Sequence, residues 1–174
     1  MKKFFVLLLM IIFLPTICFA ANLLSEEDVA TFNDMHNNPS NYLAAGGIGT
    51  GLSVYINKNS IDVQQYAPPN YIIAFTRIIY SVLPDGRGSY RKFAQPHLFR
   101  YKYNIDEQKM YYYSERDSKW EYIVPVASGP SRSWTSMGEI VFYLAYNRSF
   151  YNEPVSVPLN YYLENGKWIT FEDK

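Results

Sequence analysis

The chain has 174 residues, with 16 basic and 16 acidic side chains, two histidines and one cysteine. Zero formal charge leaves no basic excess for nucleic acid or an anionic membrane surface, and a lone cysteine excludes an internal disulfide. A chain this long can bury an adequate core without cross-links, and after its leader it reads as one domain.

Lys2 and Lys3 precede an uninterrupted apolar run from Phe4 to Leu14, which Pro15 breaks. Cys18-Phe19-Ala20 then places small residues at the −3 and −1 positions of a secretory signal, predicting cleavage between Ala20 and Ala21. The expected mature domain runs from Ala21 to Lys174, exported to the periplasm, the cell surface or the medium. Cleavage removes the cysteine, and with it any thiol nucleophile or thiolate metal ligand. Loss of the two lysines leaves a slight negative charge. Two other fates stay open. The apolar run is short for a retained anchor and carries a proline. Lipid attachment at Cys18 would follow Ile17, where a smaller residue is the rule.

Residues 22–36 predict a helix. Ser25 is a good N-cap, and Glu26, Glu27 and Asp28 place negative charge on the first turn. Leu24 and Val29 have the spacing of a hydrophobic staple. Val29, Phe32 and His36 share a face, and Asn37-Asn38-Pro39 stops the helix.

Next comes "GGIGTG", Gly46 to Gly51. A phosphate-binding loop leads from a strand into a helix, so that the helix N-terminus meets the anion. Here the order is helix then strand, no Lys-Ser or Lys-Thr follows, and the spacing is not G-x-G-x-x-G. The expectation is a mobile loop or a strand edge where glycine permits close approach.

Leu52 to Ile56 predicts a short strand. Tyr71 to Val82 predicts a longer one, apolar on both faces and so central in its sheet. "PDGRG", Pro84 to Gly88, is a turn. Ser89–Ala94 and Leu98–Asn104 read as strands broken at Pro96, with Phe99, Tyr101 and Tyr103 facing opposite to Arg100 and Lys102. "NIDEQ" and "RDSK" then turn the chain into Lys109–Ser114 and Trp120–Val124, completing an antiparallel meander.

Ser136 with Glu139 three residues on has the capping-box spacing and predicts a second helix starting there. Met137, Ile140, Val141 and Leu144 form its inward stripe, while Phe142, Tyr143, Tyr146 and Phe150 cluster near the other side. Asn165-Gly166 predicts a C-terminal hairpin. The expected fold is α+β: an antiparallel meander packed with an N-terminal helix and a second helix near the C-terminus.

Catalytic patterns are sparse. No G-x-S-x-G accompanies His36 or His97, and no H-x-x-x-H or related spacing suggests a metal. Asp106, Glu107, Glu115, Asp117 and Glu121 would suffice in number for a glycosidase pair, but most fall in turns. The residues favour a non-catalytic protein without cofactor. With 17 Tyr and 11 Phe, strand formation and core filling account for most rings, and the remainder suit a binding surface. "YYY" at 111–113 must face both ways. If the helix face of Phe142, Tyr143, Tyr146 and Phe150 is exposed, it marks a dimer or partner contact; if it is buried, the helix is sandwiched. Arg100 and Lys102, with Arg91 or Lys92 nearby, could form a basic stripe for an anionic polysaccharide or an acidic partner.

"VYINKNSI", the long apolar strand, "SYRKF" and "YKYNIDEQKMYYY" together resemble small secreted bacterial surface-adhesin proteins of the protein E type, over roughly residues 52–125. Tyr55, Ser60 and Ile61 match a Tyr-x-Asp-x-x-Ser-Ile pattern. Asn57 stands where that family has Asp, Asn104 where an acid is common, and the family's cysteines are missing. Other secreted bacterial proteins share this layout. The resemblance implies a sheet packed on helices, dimerisation, and binding of host or surface proteins; it transfers no site residues. The function expected is an exported, adhesin-like binding module with a protein or glycan partner at the cell surface, and with homodimerisation among the options. The alternatives are an envelope enzyme using carboxylates on glycans, and a periplasmic subunit of a complex. Neither nucleic acid nor a membrane span after cleavage is expected.

Overall fold

The computed structural model describes residues 25–47, 52–84, 90–125, 130–152 and 163–164. The leader with Ala20 and Ala21, residues 48–51 of the glycine-rich stretch, 85–89 of the "PDGRG" turn and the Asn165-Gly166 hairpin lie outside them.

Six strands form one antiparallel sheet in chain order: β1 (Tyr42–Gly47), β2 (Leu52–Ala67), β3 (Asn70–Pro84), β4 (Tyr90–Asn104), β5 (Lys109–Ser114) and β6 (Lys119–Tyr122). Helix α1 (Glu26–Asn37) precedes it, with one 3₁₀ turn at Pro39–Asn41, and α2 (Pro130–Tyr146) follows it. This is the α+β meander that the periodicities predict.

The long central strand explains the layering. Tyr71, Ile73 and Phe75 face one side, while Ile78 and Tyr80 face the other, and all five are buried. Each side therefore needs its own cover. The first core joins Val54, Ile56, Ile73, Phe75, Tyr101 and Tyr103 to Met137, Ile140, Val141 and Phe142 of α2. The second joins Tyr55, Ile78, Tyr80 and Ala94 to Met35, with Phe32 of α1 packed against it. Two tyrosines lock α2 in register. The Tyr101 hydroxyl donates to the Trp134 carbonyl at 2.8 Å, and the Tyr103 hydroxyl to the Gly138 carbonyl at 2.9 Å. Residues two apart on a strand thus meet residues four apart on a helix, which is the match of their two periods.

Ser25 caps α1 as expected: its Oγ accepts from the Asp28 N–H, and its own N–H donates to the Asp28 carboxylate. The buried residue of α1 is Met35, whereas Val29 is 44% exposed. Sheet and helix meet again where the Tyr42 hydroxyl donates to the Asp34 carboxylate.

Beyond shifts of a few residues at element ends, three boundaries differ from expectation. Strand β4 is continuous through Pro96, which sits opposite Ile78. At Pro96 the strand has a paired neighbour on one side only, because β5 joins it only from Tyr101 onward, and an unpaired strand flank tolerates a missing N–H. Helix α2 begins at Pro130, a position where proline is favoured, rather than at Ser136. Ser136 and Glu139 are buried in the helix body, so their spacing marks no cap. Strand β2 continues past Ile56 to Ala67 by way of an irregularity between Asn57 and Asp62. There the Asn57 side chain accepts from the Asn59 N–H, while Ser60 Oγ donates to the Asn57 carbonyl and accepts from the Thr76 N–H, both at 2.7 Å. The Asn57 and Ser60 of the adhesin-like pattern thus build a bulge.

The glycine-rich stretch starts inside edge strand β1. Gly46 has φ +139°, next to a register shift, and a Cβ there would lie 3.3 Å from Ser133 Oγ. The Ser133 hydroxyl donates to the Gly47 carbonyl. Close approach of α2 accounts for Gly46, whereas a Cβ at Gly47 would lie 3.1 Å from the Leu52 carbonyl oxygen of β2.

Candidate functional site

The aromatic residues of α2 divide between core and rim. Phe142 is fully buried and Phe150 is 2% exposed, both against the Tyr103 ring at 4.9 and 5.1 Å. Phe150 returns to the core after the helix ends at Tyr146 and Asn147 takes a φ of 53°, and Gln108 holds the returning segment through the Phe150 carbonyl and the Asn152 N–H. Tyr146 is half-buried and packs on Tyr71 at 5.3 Å and Tyr66 at 6.1 Å. Tyr143 is half-buried as well. Of the two alternatives for the face of Phe142, Tyr143, Tyr146 and Phe150, burial holds for Phe142 and Phe150, because α2 is enclosed through its middle, while Tyr143 and Tyr146 are half-buried.

Arg100 and Lys102 have a different setting. Alternation along β4 turns them away from the α2 core, and the short β5–β6 hairpin extends the sheet beside them. The register aligns Lys102 with Tyr111, Tyr111 with Tyr122, and Tyr113 with Trp120. The Lys102 ammonium lies 5.7 Å from the centre of the Tyr111 ring, and the Arg100 guanidinium 4.3 Å above Tyr113. Ring centres in the Tyr111–Tyr122 and Tyr113–Trp120 pairs are 5.6 and 5.3 Å apart. Two rows thus run across three strands, each a cation followed by two rings.

None of these six residues belongs to either buried core, and Tyr122 is 45% exposed. Cross-strand cation–ring pairs hold the long basic side chains flat and leave their charge toward solvent. Glu115 is 4.0 Å from Arg100 and largely exposed, a contact of little energy. Lys92 is eight residues from Arg100 on the same strand, roughly 27 Å away, so it does not extend the stripe. The rings are what sequence reasoning missed. Their signal was present: "YYY" and "KWEY" each place two aromatics at i and i+2, and two tight four-residue turns bring those positions onto the Lys102 face.

His97 lies opposite Arg77, and partial loss of solvent around the ring together with that cation pushes its imidazole below its ordinary range. Three of the five acids considered for catalysis, Glu107, Asp117 and Glu121, have close partners of their own. Glu107 pairs with Lys109 at 2.8 Å, and Asp117 accepts from Ser114. Glu121 accepts from the Tyr112 hydroxyl, which that bond and burial push up to about 12. Among the described residues no group of three or more His, Cys, Asp or Glu is placed to hold a metal, and no helix is long and apolar enough to cross a membrane. No protein-family model, curated protein or solved structure matches the chain.

Proposed function

We propose that the protein is an exported, non-catalytic binding module of the cell envelope or the extracellular surface, and that it holds an acidic glycan on the β4–β6 sheet face. The observation that carries this reading is the pair of cation–ring–ring rows formed by Arg100, Tyr113 and Trp120, and by Lys102, Tyr111 and Tyr122. Tyrosine and tryptophan offer broad faces for the C–H surface of a sugar ring, with a polar edge for its hydroxyls. The two cations meet carboxylates or sulfates along the chain. Exposed charge pairs contribute about 0.2–1 kcal/mol each, so a single site is weak and repeated sugar units raise retention through avidity. The adhesin-like layout and the signal-like leader support the same placement outside the cell.

Charge reversal of Arg100 and Lys102 together tests the reading. R100E/K102E should lower retention of a polyuronate by about thirty-fold, as two lost contacts near 1 kcal/mol each imply, with an unchanged circular dichroism spectrum. Unchanged retention by the folded variant contradicts it, as does equal binding of single-stranded DNA.

A further inference from the structure

The opposite face of the sheet carries a second feature. The β4–β5 ladder ends at Tyr101 and Tyr112. Beyond it, β5 runs on to Ser114 paired only with β6, so Phe99 and His97 are paired with β3 and have no strand on their other flank. The gap is a cleft of about 720 Å³, with Arg77 on its inner wall and Phe99, Tyr112 and Trp134 among its lining rings. The rings form one continuous group: Phe99 stacks on Tyr112 at an interplanar angle of 13°, and Trp134 meets both edge-on at 5.3 and 4.1 Å.

Arg77 is the unusual member. Its guanidinium lies 4.7 Å over the Phe99 ring, and its Nε is buried with no hydrogen-bond partner among the described residues. No described carboxylate comes within 4.0 Å of it. The acids at the cleft mouth have partners of their own: Glu121 has Tyr112 and Lys119, Asp117 has Ser114 and Arg116, and Glu115 has Arg100. A largely enclosed cation is normally paired, because desolvation without a counter-charge is costly. Here no counter-charge stands among the described residues, and the guanidinium borders the cleft.

We infer that this cleft is a separate site for a small organic carboxylate with a flat apolar body, the acid held by Arg77 and the body set against Phe99, Tyr112 and Trp134. A planar guanidinium pairs with a carboxylate through two parallel hydrogen bonds, here from its two terminal nitrogens, because the Nε is buried beneath them. The rings bind the apolar part by burial and stacking. The guanidinium and the three rings lie on the α2 side of the sheet, opposite the glycan face, and the two sites adjoin at Tyr113, which lines the cleft edge.

Phenylacetate is a suitable probe and phenylacetamide its uncharged control. In ¹H–¹⁵N spectra of the whole protein, phenylacetate should shift the Arg77 Nε–H and Trp134 indole signals saturably, and phenylacetamide should bind at least ten-fold more weakly. R77Q should lose the phenylacetate response, R77K should keep part of it, and W134A should weaken acid and amide alike. R77Q should leave polyuronate retention unchanged, and K102E, remote from the cleft lining, should leave the phenylacetate response unchanged, so the two sites fail separately. The inference is overturned if phenylacetate leaves Arg77 Nε–H unmoved in the folded protein, if the amide binds as well as the acid, or if binding survives R77Q. Should R77Q fail to fold, the acid-against-amide comparison on the native chain decides.

Discussion

Glu139 lies in the middle of α2 at 6% exposure, and burial pushes its carboxyl from 4.5 up to about 7. A carboxyl that holds its proton more tightly in the folded state makes stability fall as pH rises from its ordinary value to the folded one. Below that window both states are protonated and the penalty vanishes; above it the penalty is complete. Glu139→Gln should therefore stabilise the protein by on the order of 2 kcal/mol near pH 8 and change little near pH 4, read from urea midpoints. Its neighbour Gly138 has a steric reason to be glycine. A methyl there would sit 2.0 Å from Met110 Sδ and 2.8 Å from its Cε, in the core beside Tyr101. Gly138→Ala should cost roughly 1–2 kcal/mol, overpacking outweighing the helix propensity gained. Combined with Met110→Ala, the total should be less than the sum of the single changes. At this scale the sequence misleads in one place: Ser136 and Glu139 have cap spacing, but i and i+3 also recur within any helix, and Pro130 upstream is the stronger start signal.

Among the elements, α1 was the most legible, since a cap, an acidic first turn and an Asn-Asn-Pro stop are local signals that need no tertiary partner. Ser25 supplies the acceptor for the Asp28 N–H at 3.0 Å, so Ser25→Ala should destabilise the protein by about 1 kcal/mol, measurable as a lower denaturant midpoint. The face that α1 buries was less legible, because Met35 is chosen by the sheet beneath it. The β3 strand was legible from its two apolar faces. Continuity of β4 through Pro96 was not, since it depends on how far β5 extends, a length that β4 does not encode. The β2 bulge was likewise hidden: the bonds from Ser60 to Asn57 and Thr76 join positions up to sixteen residues apart.

Across the whole molecule, two helices cover much of a six-stranded sheet and leave the β4–β6 end open on the side away from α2. Half of the proposed binding face was visible as Arg100 and Lys102; the other half needed the hairpin register to bring Tyr111, Tyr113, Trp120 and Tyr122 beside them. Phe142 and Phe150 stood out in the sequence for their bulk, and the same bulk draws them into the core. Raised salt should weaken glycan retention, because the two cations are exposed to solvent on one side. A single titration addresses the central claim most directly: a uronic-acid oligosaccharide against the ¹⁵N-labelled protein, with a neutral oligosaccharide of equal length as control. The account predicts saturable, salt-sensitive shifts confined to Arg100, Lys102, Tyr111, Tyr113, Trp120 and Tyr122 and their strand neighbours, with the neutral control weaker. Absence of shifts on that face, or equal shifts with the neutral sugar, would contradict it.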